Sequence, residues 1–196
     1  MHTAYSADAL TNPKALVESI YANPSVKAVA ITDHNTMDGY YKVRKLAEVY
    51  KGEILIIPGV ELRTQLGDLI ALGIEELPVK PWTVENIIDF TREREGITVV
   101  PHPYRAPGLG DLATNYNVDA IEVLNGSTSS FLNEMAEKLA KAMNLPGVAG
   151  SDAHTLNQLF TVYTEVEVSD LSIHAVLKSI KNGAVRAVST RDSIHF

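Results

Sequence analysis

The sequence has no cysteine, which excludes disulfides, thiolate zinc sites, iron–sulfur clusters and cysteine nucleophiles. It has no apolar run near the roughly 18 residues that a membrane span needs. Its first residues, MHTAYSADAL, carry neither a basic nor an apolar region, so no membrane association and a cytoplasmic location are expected. Positive charge is scarce: 17 Lys+Arg against 24 Asp+Glu give a net charge of -7. That balance argues against tight general nucleic-acid binding, although a local basic cleft stays compatible with it. G-x-S-x-G, H-E-x-x-H and Walker sequences are also missing. What remains is ordinary globular composition, 196 residues with 45% hydrophobic and 21% charged, the length of one domain over 1–196. Any metal must be held by His, Asp or Glu.

Short β-branched runs alternate with amphipathic stretches. Helices are predicted over 13–21, 37–50, 83–95, 130–143 and 170–182, the first capped by Thr11 or Asn12 and the third by Thr83. Strands are predicted over 26–32, 53–62, 67–74, 97–100, 120–124, 147–150, 163–168 and 185–188. Strands alternating with helices of 10–15 residues predict an α/β fold of βα units around a parallel sheet.

The informative feature is where the polar residues fall. Apolar strands are followed at once by metal-capable side chains: Asp33-His34, Glu61, His102, then Asp152 and His154. In a parallel barrel the C-terminal strand ends share one face, where active sites are built. Imidazole and carboxylate suit Zn²⁺, Mn²⁺ or Fe²⁺. A carboxylate such as Glu61 can bridge two ions through its two oxygens, and two ions can clamp both oxygens of an in-line displacement at phosphorus. Arg105, three residues beyond His102, suits a phosphate through its planar fork.

With HTAYSAD at 2–8, ITDHNTMDG at 31–39, PGVELRT at 58–64, PHPYR at 101–105, DAIEVLNG at 119–126 and AGSDAH at 149–154, the chain resembles the PHP (polymerase and histidinol phosphatase) metal-dependent phosphoesterases. The resemblance implies a distorted seven-stranded (β/α) TIM-like barrel with two or three divalent ions (Zn, Mn or Fe). It implies His2, Asp8, His34, Glu61, His102, Asp152 and His154 as metal ligands, with Glu61 bridging. Asp33 is expected to orient a neighbour without touching a metal. The family's N-terminal motif places a further histidine two positions before His2, on a first barrel strand. The chain begins at Met1, so either its start lies upstream or a ligand and part of a strand are lost. The intact HTAYS favours the upstream start.

The implied function is hydrolysis of a phosphate ester of a small molecule, nucleotide or short oligonucleotide by a metal-bound hydroxide. Glu61, Arg105, Asp152 and His154 are the expected catalytic residues, and Arg105 and Asn125 the expected substrate contacts. Plainer readings exist. His34 and His154 could be turn histidines, Glu61 a carboxylate paired with Arg63, Arg105 a solvated loop residue and Asn125-Gly126 a turn. Tyr5 and Tyr104 read as cavity walls, His174 as solvated, and His195 carries no signal. Ser127 to Ser130 reads as a turn and helix cap that could also receive phosphate. Gly108 to Ala113 matches a dinucleotide fingerprint only formally, because no strand precedes it. Two rival functions remain: a non-catalytic PHP-like RNA-binding or scaffold protein, which would want a basic face, and a metal-dependent amidohydrolase, which would want a strand-end lysine.

Overall fold

The computed structural model of the chain describes residues 1–190, so His195 lies outside the described residues. Helix α1 (Pro13–Ala22) starts where Asn12 accepts hydrogen bonds from Lys14 N and Ala15 N, with proline at the first helical position. After β1 (Ala28–Ile31), α2 (Asp38–Ala47) runs into a 3₁₀ turn at Glu48–Tyr50. Strands β2 (Leu55–Arg63) and β3 (Asp68–Leu72) precede α3 (Val84–Glu93), which Thr83 caps through Asn86 N. Then come β4 (Ile97–Val100), β5 (Ala120–Asn125), α4 (Ser130–Met143), β6 (Gly147–Gly150), β7 (Val162–Val166), α5 (Ile173–Lys181) and β8 (Val185–Ser189).

The α/β class is as expected, but the sheet is not wholly parallel. Six strands form one curled half-barrel sheet in the order β1-β2-β3-β4-β5-β6, and β3 is antiparallel to both β2 and β4. Only residues 64–67 connect β2 to β3; a parallel connection needs a dozen or more residues, so this link must be a hairpin. Strands β7 and β8 form a separate antiparallel pair. The seven strands of the expected barrel are therefore six in the main sheet, with β1 and β6 at its edges. Between those edges lie Met1 and His2: Thr32 N donates to Met1 O at 3.0 Å and His2 N to Ala153 O at 2.9 Å.

The two faces of the sheet bury different things. Outward-facing Ile56, Val60, Leu62, Leu69, Val100 and Ile121 pack with the helices into the larger core cluster. The inward face changes along its length. Its lower part is apolar: Ile57, Leu72, Ile97, Val99 and Val148 cluster with Val176, Leu177 and Ile180 of α5, which closes the base. Higher up, on the same faces by strand alternation, stand Glu61, Asp68 and Glu122, all buried. An apolar base under an ionisable top is what positions the site.

Candidate metal centre

The carboxylates and histidines meet at the top of the half-barrel. Glu61, on β2, uses both oxygens: Oε1 lies 3.2 Å from His102 Nε2 and Oε2 lies 3.4 Å from His2 Nε2. His2 Nε2 is also 3.1 Å from Asp152 Oδ1. This row of four side chains is buried throughout. On its solvent side, Asp8 Oδ2 sits 3.5 Å from both His34 Nε2 and His154 Nε2. The His2 ring lies between them, with centroids 4.5 Å from His34 and 4.4 Å from His154. All seven residues expected as ligands are thus brought together.

Local backbone explains how they get there. Strand β1 ends one residue before Thr32, and a bridge between His34 and Glu61, with Asn35 N donating to Glu61 O at 2.9 Å, holds the β1 exit against β2. His102 and Asp152 follow β4 and β6 in left-handed conformations, φ 55° and 48°. Such conformations cost non-glycine residues roughly 1 kcal/mol or more and persist where surrounding structure holds them. His154 is oriented by Nδ1, 2.9 Å from Asp152 O. Asp33 does not join the row. It is fully buried and accepts from Thr3 N at 2.5 Å, Thr3 Oγ1 at 2.7 Å and Ser6 Oγ at 3.2 Å. Ser6 Oγ also accepts from His34 N at 2.8 Å, so Asp33 ties the segment carrying His2 to the β1 exit.

Burial opposes charge here, and the pairings overcome it. Burial alone would push the Glu61 carboxyl up, but hydrogen bonds with His102 and His2 hold it well below the usual range. Asp152 is held low against burial by His2 and Arg105. Burial would lower His2 and His102; their carboxylate partners, Asp152 and Glu61 for the first and Glu61 for the second, raise both.

The donor set fits divalent ions. Three groups of potential ligand atoms each fall within 4.8 Å: His2, His34 and His154; His2, Glu61 and Asp152; Glu61, Asp68 and His102. His2 and Glu61 each belong to two groups, so the three form a continuous chain. His34 and His102 turn their Nε2 atoms to Asp8 and Glu61, the arrangement in which an imidazole and a carboxylate can share an ion. Nitrogen and carboxylate donors of this kind suit Zn²⁺, Mn²⁺ or Fe²⁺.

Two buried acids were missed in the sequence. Asp68 enters the third group because its register partner is Arg63, two residues from Glu61 on the same face of β2; strand parity was its only signal. Glu122 is a carboxyl inside the apolar run AIEVL, and burial pushes it up to about 7. It reaches its place because Gly150 has no Cβ, which would lie 2.2 Å from Glu122 Oε1. Arg105 reaches the site as expected, with Nη2 donating to Asp152 Oδ2 and Nε buried and unpartnered. Asn125, expected to contact substrate, is buried and lines the same cavity as His2, Glu61, His102 and Asp152. Its Nδ2 donates to Glu122 at 2.8 Å and its Oδ1 accepts from Ser127 N and Thr128 Oγ1, so its amide holds the turn after β5.

Comparison with known proteins points the same way. The family model described as PHP domain matches residues 1–109, and one described as PHP-associated matches 131–185. The Methanocaldococcus jannaschii protein MJ1587 is 31% identical over 137 residues, 64% of this chain and 78% of that one. A two-domain Bacteroides vulgatus protein containing a predicted PHP-like metal-dependent phosphoesterase superposes with a TM-score of 0.79 at 20% identity, over 96% of this chain. The present chain spans 63% of that protein's length. An amidohydrolase from Chromobacterium violaceum, solved with bound sulfate and no metal, superposes with a TM-score of 0.67 at 16% identity over 97% of both chains. The strand-end histidines and carboxylates that converge on Glu61 lie in or beyond a segment that the family model covers for more than half of the sequence, and the chain belongs to the PHP domain family.

Proposed function

We propose that the chain is a metal-dependent phosphoesterase acting on a phosphate ester of a small molecule, nucleotide or short oligonucleotide. The observation that carries this reading is the buried row His102–Glu61–His2–Asp152 ending on Arg105. The row and its neighbours Asp8, His34 and His154 would hold two or three divalent ions, with Glu61 offering one oxygen to each side. Bound ions supply Lewis acidity and an activated water at neutral pH.

The protein's own contribution is placement. Arg105 is anchored on the buried Asp152 and part-exposed, so its remaining N–H groups can face the non-bridging oxygens of a phosphoryl group. His34 and His154 are on the solvent side, each with Nε2 against Asp8, where they would complete the ligand set on the side from which an ester enters. Below the row the half-barrel encloses a cavity of about 480 Å³ walled by Ile57, Val99, Val148 and Ile180 as well as His2 and Glu61, and apolar walls strengthen the charge interactions beside them.

An amidohydrolase is the second reading, favoured by the Chromobacterium violaceum structure; the likeness, at 16% identity, is one of fold. Strand ends at this site carry histidine, aspartate, glutamate, asparagine or arginine, and no lysine. The test is phosphate release from a panel of monoesters and diesters, with an amide panel beside it, in added Mn²⁺ or Zn²⁺, with elemental analysis of the purified chain. R105Q should lower phosphate release about 10–100-fold, the worth of one charge-assisted contact, with the metal content unchanged. No bound metal and no phosphate release from any ester would refute the reading. Salt-sensitive RNA binding without turnover would replace it by a scaffold role.

A further inference from the structure

Three of the six described arginines pair with exposed acids, Arg44 with Glu75, Arg94 with Glu76 and Arg186 with Glu165, and Arg92 donates to Asn117 O. The other two differ. Arg105 grips Asp152, and Arg63 grips Asp68, and both acids are buried members of the candidate metal groups. Arg63 holds Asp68 with two bonds, Nε to Oδ1 and Nη2 to Oδ2, the second at 3.1 Å. A guanidinium has five N–H donors, so three remain, and the side chain is half exposed (50%) above an acid that is 1% exposed.

Arg63 is also fixed in place. Its backbone N donates to Asn35 Oδ1 at 3.0 Å. Asp68 N donates to Pro107 O at 2.8 Å, and Gly108 N to Arg105 O at 2.7 Å. The Arg63–Asp68 pair and the Arg105 loop are therefore bonded to one another through backbone. Arg105 ends the bonded row His102–Glu61–His2–Asp152, and Arg63 holds Asp68, which shares a group of potential ligand atoms within 4.8 Å with His102 and Glu61.

We propose that Arg63 is a second anion-binding residue of this site, and that the substrate is a phosphate ester carrying a further anionic group, a carboxylate or second phosphate, that Arg63 receives. The proposal rests on the phosphoesterase reading, with Arg105 taking the scissile phosphate. Recognition of two anions by two anchored guanidiniums makes Arg63 a specificity-determining residue. Its loss costs most for substrates that carry the second charge.

The test uses two probes that cannot be hydrolysed, phosphonoacetate and methylphosphonate, titrated calorimetrically into the Mn²⁺-loaded protein. Phosphonoacetate should bind about tenfold tighter, the worth of one added charge-assisted contact. R63Q should bring that ratio close to one, with methylphosphonate affinity as the reference within each variant. R105Q should weaken both probes together. R63K keeps a cation on Asp68 but cannot grip it through a fork and also present a second donor edge; it should give a ratio well below wild type, and serves if R63Q does not fold. Equal affinity for the two probes in wild type, or an R63K ratio equal to wild type, overturns the proposal and leaves the phosphoesterase reading standing. Failure of methylphosphonate to bind at all sinks both.

Discussion

Replacing Asp33 by asparagine separates a supporting role from a ligand role. The carboxylate accepts three hydrogen bonds, from Thr3 N, Thr3 Oγ1 and Ser6 Oγ, at full burial. Asparagine keeps one acceptor oxygen and turns an NH₂ donor toward groups that are themselves donors. At least one charge-assisted bond, worth about 1.5–3 kcal/mol, is lost, and one donor is left unsatisfied at about 1–3 kcal/mol. Since Thr3 and Ser6 can rotate their hydroxyls, D33N should cost roughly 2–4 kcal/mol. For a chain of this length each kcal/mol lowers Tm by about 2–4 °C, so a fall of roughly 5–15 °C is expected by calorimetry in EDTA. Because Asp33 ties His2 to the β1 exit, metal retained after gel filtration should also fall, by weaker affinity at His2. The reasoning fails if D33N melts within a degree of wild type, or if it keeps its stability in EDTA while losing metal alone. The second result would make Asp33 a direct ligand.

Glu122 gives a pH signature. Its carboxyl rises from 4.5 to about 7 on folding, so the folded state binds the extra proton. Its contribution is full below about pH 4.5 and falls as pH rises toward 7, by up to roughly 3 kcal/mol. In EDTA, E122Q should keep the hydrogen bond from Asn125 and lose that slope; identical pH–stability curves for E122Q and wild type would contradict this. Gly39 lies where an added Cβ would sit 1.7 Å from Asp33 Oδ2 and 2.4 Å from Thr3 Oγ1. G39A should therefore melt at least as early as D33N, and D33A/G39A should cost less than the sum of its parts, since D33A removes the obstructing oxygen. Additive costs in denaturant titrations would count against that contact. Mn²⁺ at a hundred times its Kd should stabilise the protein by about 2.7 kcal/mol, a Tm gain of roughly 5–10 °C that EDTA reverses; an unchanged Tm would mean that the His2–Glu61–Asp152 group holds no ion.

The strand-end rule made His34, Glu61, His102, Asp152 and His154 legible, because each follows an apolar run and the runs share a direction. His2 and Asp8 had no such run ahead of them, and only the resemblance to a family placed them. The rule failed in two ways. It looked at residues just past strands, so it missed Asp68 at the start of an antiparallel strand and Glu122 inside one. It also could not show that Asn125, on the cavity wall, bonds its amide to Glu122, Ser127 and Thr128, contacts that depend on how the loop after β5 folds back. The hairpin at 64–67 was visible as a short spacing, yet alternation with helices elsewhere made a parallel sheet the natural expectation.

Local preference and global structure disagree most at the site, and the disagreements have a common cause. Strands β2 to β6 bring carboxylates and imidazoles together around one cavity, so the chain has to turn side chains toward it within a residue or two of a strand end. His102 and Asp152 therefore turn into left-handed conformations immediately after their strands. Gly39 and Gly150 supply the missing volume, one beside Asp33 and the other beside Glu122. Neither glycine has the positive φ that usually explains one, so their role is the space that a Cβ would take. An acid buried against a glycine has its position set by backbone on one side and hydrogen-bond donors on the other. Asp33, held in that way, fixes Thr3 and Ser6 on the segment that carries His2, and His2 belongs to two of the three groups of ligand atoms that lie within 4.8 Å of one another.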